Sequence, residues 1–270
     1  MLLVGAAILT AGLLITNWIE AFEKRNPKTD AQQVTPEVPL GREGAYRLVF
    51  ASRYLLAIAF LSLIVNWVNT TGEYLLGRTV AETAKAAVAN GMAGGLSVDA
   101  YIGKFYSDFF AVVNLVGMLM QLFLVSRILK YLGVWIAILV LPSIALLSYS
   151  LIATFSILAV VRWAKTAENA TDYSLQSTVR NILFLPTTRE EKYKAKQVVD
   201  TLFWRAGDVL SAGLVFIGTV LMTWAVSQFA IVCVLLGLIW FGLALWIGRE
   251  NRRLVSGTES VPGQAALAPE

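Results

Sequence analysis

Residues Ile152–Gly213 run IATFSILAVVRWAKTAENATDYSLQSTVRNILFLPTTREEKYKAKQVVDTLFWRAGDVLSAG. The stretch opens apolar and then takes on Arg162, Lys165, Glu168 and Asp172. It passes through a basic segment and returns to apolar sequence that carries Arg205 and Asp208. The pattern is helix, basic loop, helix. Ionisable side chains inside a membrane helix are costly, so they need a partner or a function. The remainder of the chain decides whether this stretch lies in a membrane.

That remainder is strongly apolar. Of 270 residues, 57% are hydrophobic and 15% charged, and the mean hydropathy is +0.66. A soluble domain carries about 25% charged residues. The apolar excess falls in blocks near the roughly 20 residues that cross a bilayer. A large soluble helical protein would need more polar helix faces. The chain therefore reads as an all-α, multi-pass membrane protein. The single cysteine, Cys233, lies in an apolar run, so no disulfide framework is expected. The sequence has no histidine, which removes imidazole relays and imidazole metal ligands. It has no Cys/His zinc set, no G-x-x-x-x-G-K-[ST] phosphate loop and no G-x-S-x-G elbow. Neither enzyme chemistry nor a metal or other cofactor is expected. The net charge of +4 sits in loops, where it sets membrane orientation rather than meeting nucleic acid.

In chain order, residues 1–19 form a first span, without charge until Glu20. Residues 20–53 form a polar linker whose Gly44–Phe50 end suits a short surface helix. Residues 54–247 supply six further spans. The second is Tyr54–Leu76, followed by an Ala/Gly-rich loop over Thr79–Asp99. The third is Tyr101–Val125, with Lys104 and Asp108 spaced to pair, and a short basic turn, Ser126–Lys130, follows it. The fourth is Leu132–Ser148. The apolar run then continues too far for one span, so a break is placed near Tyr149, giving a fifth span over Ile152–Tyr173. A loop runs to Asp200, and Thr188 with Glu191 in it has capping-box spacing. The sixth span is Trp204–Ala225 and the seventh Phe229–Ile247. Residues 248–270 form a polar tail.

Charge orients these spans. Sixteen lysines and arginines fall in the linker, the turn at 126–130, the long loop and the tail. Against them stand Arg78 and Lys85, with Lys104 at the border. That bias makes the basic segments cytoplasmic. It places Met1 outside with nothing before it to drive export. The expectation is that an N-terminal six-helix half is supplied upstream in the same protein or by another chain. Transporters of the major facilitator architecture have two six-helix halves. On that plan, residues 1–19 end the first bundle and the last six spans form the second.

The candidate site residues lie on three spans. On the fifth, Arg162, Lys165, Asn169 and Asp172 fall within about 80° of a helical wheel, with Glu168 some 40° beyond. Two cations there suit an anionic solute, and the acids suit an alternation of partners that would gate it. The competing reading ties Arg162 and Lys165 to Glu168 or Asp208. On the second span, Asn66, Asn69 and Glu73 share one face, suiting either solute contact or helix joining. On the sixth, Arg205 and Asp208 are spaced to pair on their own helix, and Gly207 with Ser211 suits close packing.

Several strings carry a resemblance. VNWVNTTGEYLL (Val65–Leu76), YIGKFYSDFFAVVN (Tyr101–Asn114) and above all DYSLQSTVRNILFLPTTREEKYKAKQVVDTLFWRAGDVLSAGL (Asp172–Leu214) resemble the C-terminal half of the ATP/ADP translocase family. These nucleotide antiporters of plastids and intracellular bacteria have relatives in free-living bacteria. The resemblance implies a secondary antiporter, major facilitator-like, that exchanges ATP for ADP or moves another anionic solute. It also implies a bacterial inner-membrane location, with membrane lipids as partners. Asn69 stands where the exchangers tend to have an acid, and Asp208 where they have a lysine. A permease for a non-nucleotide molecule and a non-transporting assembly module are the alternatives.

Overall fold

The computed structural model describes Thr10, residues 12–18 and residues 44–259. The chain divides into two units, Met1–Arg42 and Glu43–Glu270. In the first, Thr10 and residues 12–18 are helical. Most of the expected first span, most of the linker, and residues 260–270 of the tail lie outside the described residues.

The second unit is built from helices, with no strand among the described residues. They are α1 (Ala45–Ala51), α2 (Arg53–Ala89), α3 (Val98–Tyr131), α4 (Gly133–Thr154), α5 (158–182), α6 (Glu191–Leu221) and α7 (Val226–Glu259). Five of them, α2, α3, α4, α6 and α7, are long and apolar enough to cross a membrane. The expected count of seven spans is not reached among the described residues. The first span falls largely outside them, and α5 is too charged, carrying Arg162, Lys165, Glu168 and Asp172.

Local chemistry explains where the helices start. Ser52 and Ser97 are extended N-caps whose hydroxyls accept the N–H of Leu55 (3.4 Å) and Ala100 (3.2 Å), opening α2 and α3. Asp99 in the first turn of α3 suits the positive helix end. Gly133, at φ +74°, breaks the chain between α3 and α4. The capping box forms as expected. The Thr188 N–H donates to Glu191 Oε2 (2.9 Å), and the Glu191 N–H donates to Thr188 Oγ1 (3.4 Å). The short helix expected near Gly44–Phe50 is α1, which buries Val49 against the start of α2 and the turn Glu191–Ala195.

Several expected boundaries are corrected. The loop placed over Thr79–Asp99 is helical to Ala89, because Ala-rich sequence favours helix and Thr79 and Thr83 bond back to the carbonyls four residues earlier. Its turn is confined to the positive-φ glycines, Gly91, Gly94 and Gly95, and their neighbours. The break expected near Tyr149 falls at 155–157 instead, and Tyr149 is buried inside α4. The basic turn Ser126–Lys130 is helical, the last stretch of α3. The loop expected to run to Asp200 is helical on both sides of residues 183–188. Helix α7 continues to Glu259, well into the expected tail.

Helix α2 lies at the centre, packed on α3, α5, α6 and α7, and 67% of its apolar window is buried. The matching share is 17% for both α3 and α6, which sets those two at the periphery. α4 and α7 pack face to face, with Gly248 against Trp135. A Cβ on Gly207 would sit 2.7 Å from the Leu63 carbonyl, so only glycine allows this approach of α6 to α2. One seam locks three elements together. Tyr54 donates to the Leu183 carbonyl (2.8 Å) and accepts from Asn251 (2.9 Å), joining α2, the α5–α6 turn and α7.

Candidate functional site

Asn66, Asn69, Thr70 and Glu73 recur at helical spacing along α2. The structure divides this face between two neighbours. Asn66 and Thr70 turn to α6, where both donate to Asp208 Oδ1 (2.7 and 3.0 Å). Asn66 also donates to the Trp204 carbonyl (2.7 Å). One turn on, Thr71 and Ser211 meet hydroxyl to hydroxyl at 2.9 Å. Asn69 and Glu73 turn to α5 instead.

There they meet Lys165, whose side chain is fully buried. Its Nζ donates to Asn69 Oδ1 (2.9 Å) and lies 3.1 Å from Glu168 Oε2 and 3.4 Å from Glu73 Oε1. Asn169 donates to the same Glu73 oxygen (2.8 Å). From α4, the Tyr149 hydroxyl lies 2.9 Å from Glu168 Oε2 and 3.2 Å from the Val68 carbonyl. It has one proton and serves one of them at a time. Gly72 makes the assembly possible, because a Cβ there would collide with the Tyr149 hydroxyl and sit 3.0 Å from Lys165 Nζ.

The cluster thus holds one ammonium and two carboxylates, desolvated to different degrees. Glu168 is 3% exposed at its side chain, whereas Glu73 and Asp208 are 36% and 35% exposed. Glu73 lies at an accessible edge with the buried Lys165–Glu168 pair behind it, and Asp208 is open separately, on the α6 side. Removing one partner of a buried pair costs about 3–5 kcal/mol, because the other charge is stranded. A group that replaced Glu73 on Lys165 would therefore have to supply negative charge or an equivalent acceptor.

The expected stripe on α5 is only partly assembled. Lys165, Glu168 and Asn169 come together. Arg162 does not join them: its guanidinium lies 5.5 Å above the Phe105 ring and 6.0 Å from that of Trp163. It lines a cavity of about 380 Å³ with Lys104, Asp108 and Tyr101. The reason is position, since α5 at Arg162 packs on α3 rather than on the polar face of α2. Asp172 begins a π turn, Asp172–Gln176, and makes no ion pair among the described residues. The expected Lys104–Asp108 pair is likewise absent among the described residues. The Arg205–Asp208 pair does form, at 3.2 Å. Tyr149 and Gly72 were not read as site residues from sequence. A tyrosine in an uncharged run and a glycine between helix formers give no sign of their neighbours across the bundle.

No protein-family model, curated protein or solved structure matches the chain.

Proposed function

We propose that the chain is half of a secondary transporter of the ATP/ADP-exchange type, moving an anionic solute with a nucleotide as the leading case. The observation that carries this is the desolvated network of Asn69, Glu73, Tyr149, Lys165, Glu168 and Asn169 between α2, α4 and α5. Charge inside an apolar bundle is expensive and marks solute or ion pathways. On this reading α5 crosses the bilayer despite its charges, residues 1–19 form a seventh span, and residues 54–247 form a facilitator-type bundle. The weakly buried α3 and α6 leave apolar surface for a second six-helix half, with the solute held between the halves. The basic segments face the cytoplasm of a bacterial inner membrane.

Lys165 acts by exchanging partners. In the empty bundle Glu73 and Glu168 neutralise it. A phosphate or carboxylate reaching the accessible edge displaces Glu73, and the freed Glu73 and Asn169 then favour the opposite opening of the bundle. One observation favours a second reading, a permease for a non-nucleotide molecule. The cluster carries more carboxylates than cations, and Asp208 adds another on the α2–α6 seam.

Uptake of labelled ATP or ADP into vesicles holding the chain with its six-helix complement tests the first reading. Glu73→Gln keeps the shape and removes the alternating charge. It should lower uptake by at least about tenfold, the equivalent of one lost charged interaction near 1.4 kcal/mol. Uptake of other solutes with none of nucleotide would establish the second reading in its place.

A further inference from the structure

The turn between α3 and α4 borders a cavity of about 750 Å³, closed on its far side by α7. Lys130 enters it from the end of α3 and Arg252 from α7. No aspartate or glutamate lines it. Lys130 and Arg252 make no ion pair among the described residues. The Lys130 ammonium only approaches the Tyr131 ring, at 5.8 Å. The neighbouring cation Arg249 is stacked over Trp135, a wall of the cavity, at 5.6 Å. Unneutralised cations around a roomy, acid-free cavity call for an anion. The first turn of α4 borders the same space, and no side chain caps it, so its leading N–H groups add donors and partial positive charge.

The rim indicates which anion. Tyr131, Leu132, Ile136 and Val255 border the cavity, and each has a large part of its apolar side chain uncovered. Both α3 and α4 are among the helices apolar enough to cross a membrane. A hydrated ion would find no use for that apolar border, whereas acyl chains would lie along it. We propose that this cavity is a binding site for the phosphate headgroup of an anionic membrane lipid, with Lys130 and Arg252 as its charged ligands. Basic pockets between membrane helices recognise headgroups in this way, at about 1 kcal/mol per lysine or arginine. The site stands whatever solute the bundle carries, because it lies at the α3–α4 turn, away from the α2–α5 network.

The test is lipid binding to the purified full chain in detergent, read by native mass spectrometry with phosphatidylglycerol, phosphatidylcholine and inorganic phosphate as probes. Phosphatidylglycerol should be retained in preference to phosphatidylcholine. The double variant K130Q/R252Q should lose about 10- to 30-fold in affinity for it, two charges' worth. Lys130→Arg should retain binding, and Lys104→Gln, at the other end of α3, should leave it unchanged. Lys130 and Arg252 are both exposed, so each variant should keep the fold, and circular dichroism of each checks this. Equal retention of the two lipids, or undiminished binding by the double variant, would overturn the proposal. Competition by inorganic phosphate at concentrations matching the lipid would overturn it too, identifying a free-anion site.

Discussion

Gly72 controls how closely the charged groups of α4 and α5 approach α2. Replacing it with alanine adds one methyl where the Tyr149 hydroxyl and Lys165 Nζ already stand. Overpacking of this kind costs about 1–3 kcal/mol, so Gly72→Ala should lower the thermal midpoint of the detergent-solubilised protein clearly. Gly103→Ala is the control. Nothing lies within 4 Å of a Cβ there, and it should be neutral or slightly stabilising, since alanine outranks glycine in a helix by up to about 1 kcal/mol. At this scale the sequence was informative only along one helix. Lys165 and Glu168 sit three residues apart, and Arg205 and Asp208 likewise, so both pairs were legible from spacing. Tyr149 was not, because its partner lies on another helix and its own stretch carries no charge. Arg162 was grouped with Lys165 because an angular projection knows nothing of Phe105, the ring that receives it.

Helix α6 shows what capping chemistry contributes. The Thr188–Glu191 box satisfies N–H groups that would otherwise be orphaned where the chain re-enters helix. Thr188→Ala should cost about 1 kcal/mol, seen as faster amide hydrogen exchange over residues 189–203 with little effect on α7. This start was legible in advance because a capping box is a local signal. Other helix ends were not. Hydropathy reports apolar length, so it stopped α2 at Leu76, although the polar, alanine-rich continuation to Ala89 is equally helical. It also could not place the break between α4 and α5, since residues 149–157 contain no glycine or proline. The split falls at Phe155–Ile157, where the backbone leaves the helical region and Ile157 is extended.

The second unit is organised about α2, which packs on α1, α3, α5, α6 and α7 and gives its polar face to both α5 and α6. The membrane class was legible from composition, since apolar blocks of spanning length are a property of the whole chain. The arrangement of those blocks was not, because hydropathy does not say which helix is enclosed. The proposed transport role of the network requires that α5, among the described residues the one long helix of this unit too charged to qualify on composition, crosses the bilayer with α2 and α4. Phe155 and Leu185 flank α5 and are both exposed, while the native Cys233 is buried. Single cysteines at these two positions, in a Cys233→Ser background, can be reacted in intact cells with a membrane-impermeant maleimide. Phe155→Cys should label at once, and Leu185→Cys only after the membrane is permeabilised. Labelling of both positions from the same side would contradict a bilayer-crossing α5.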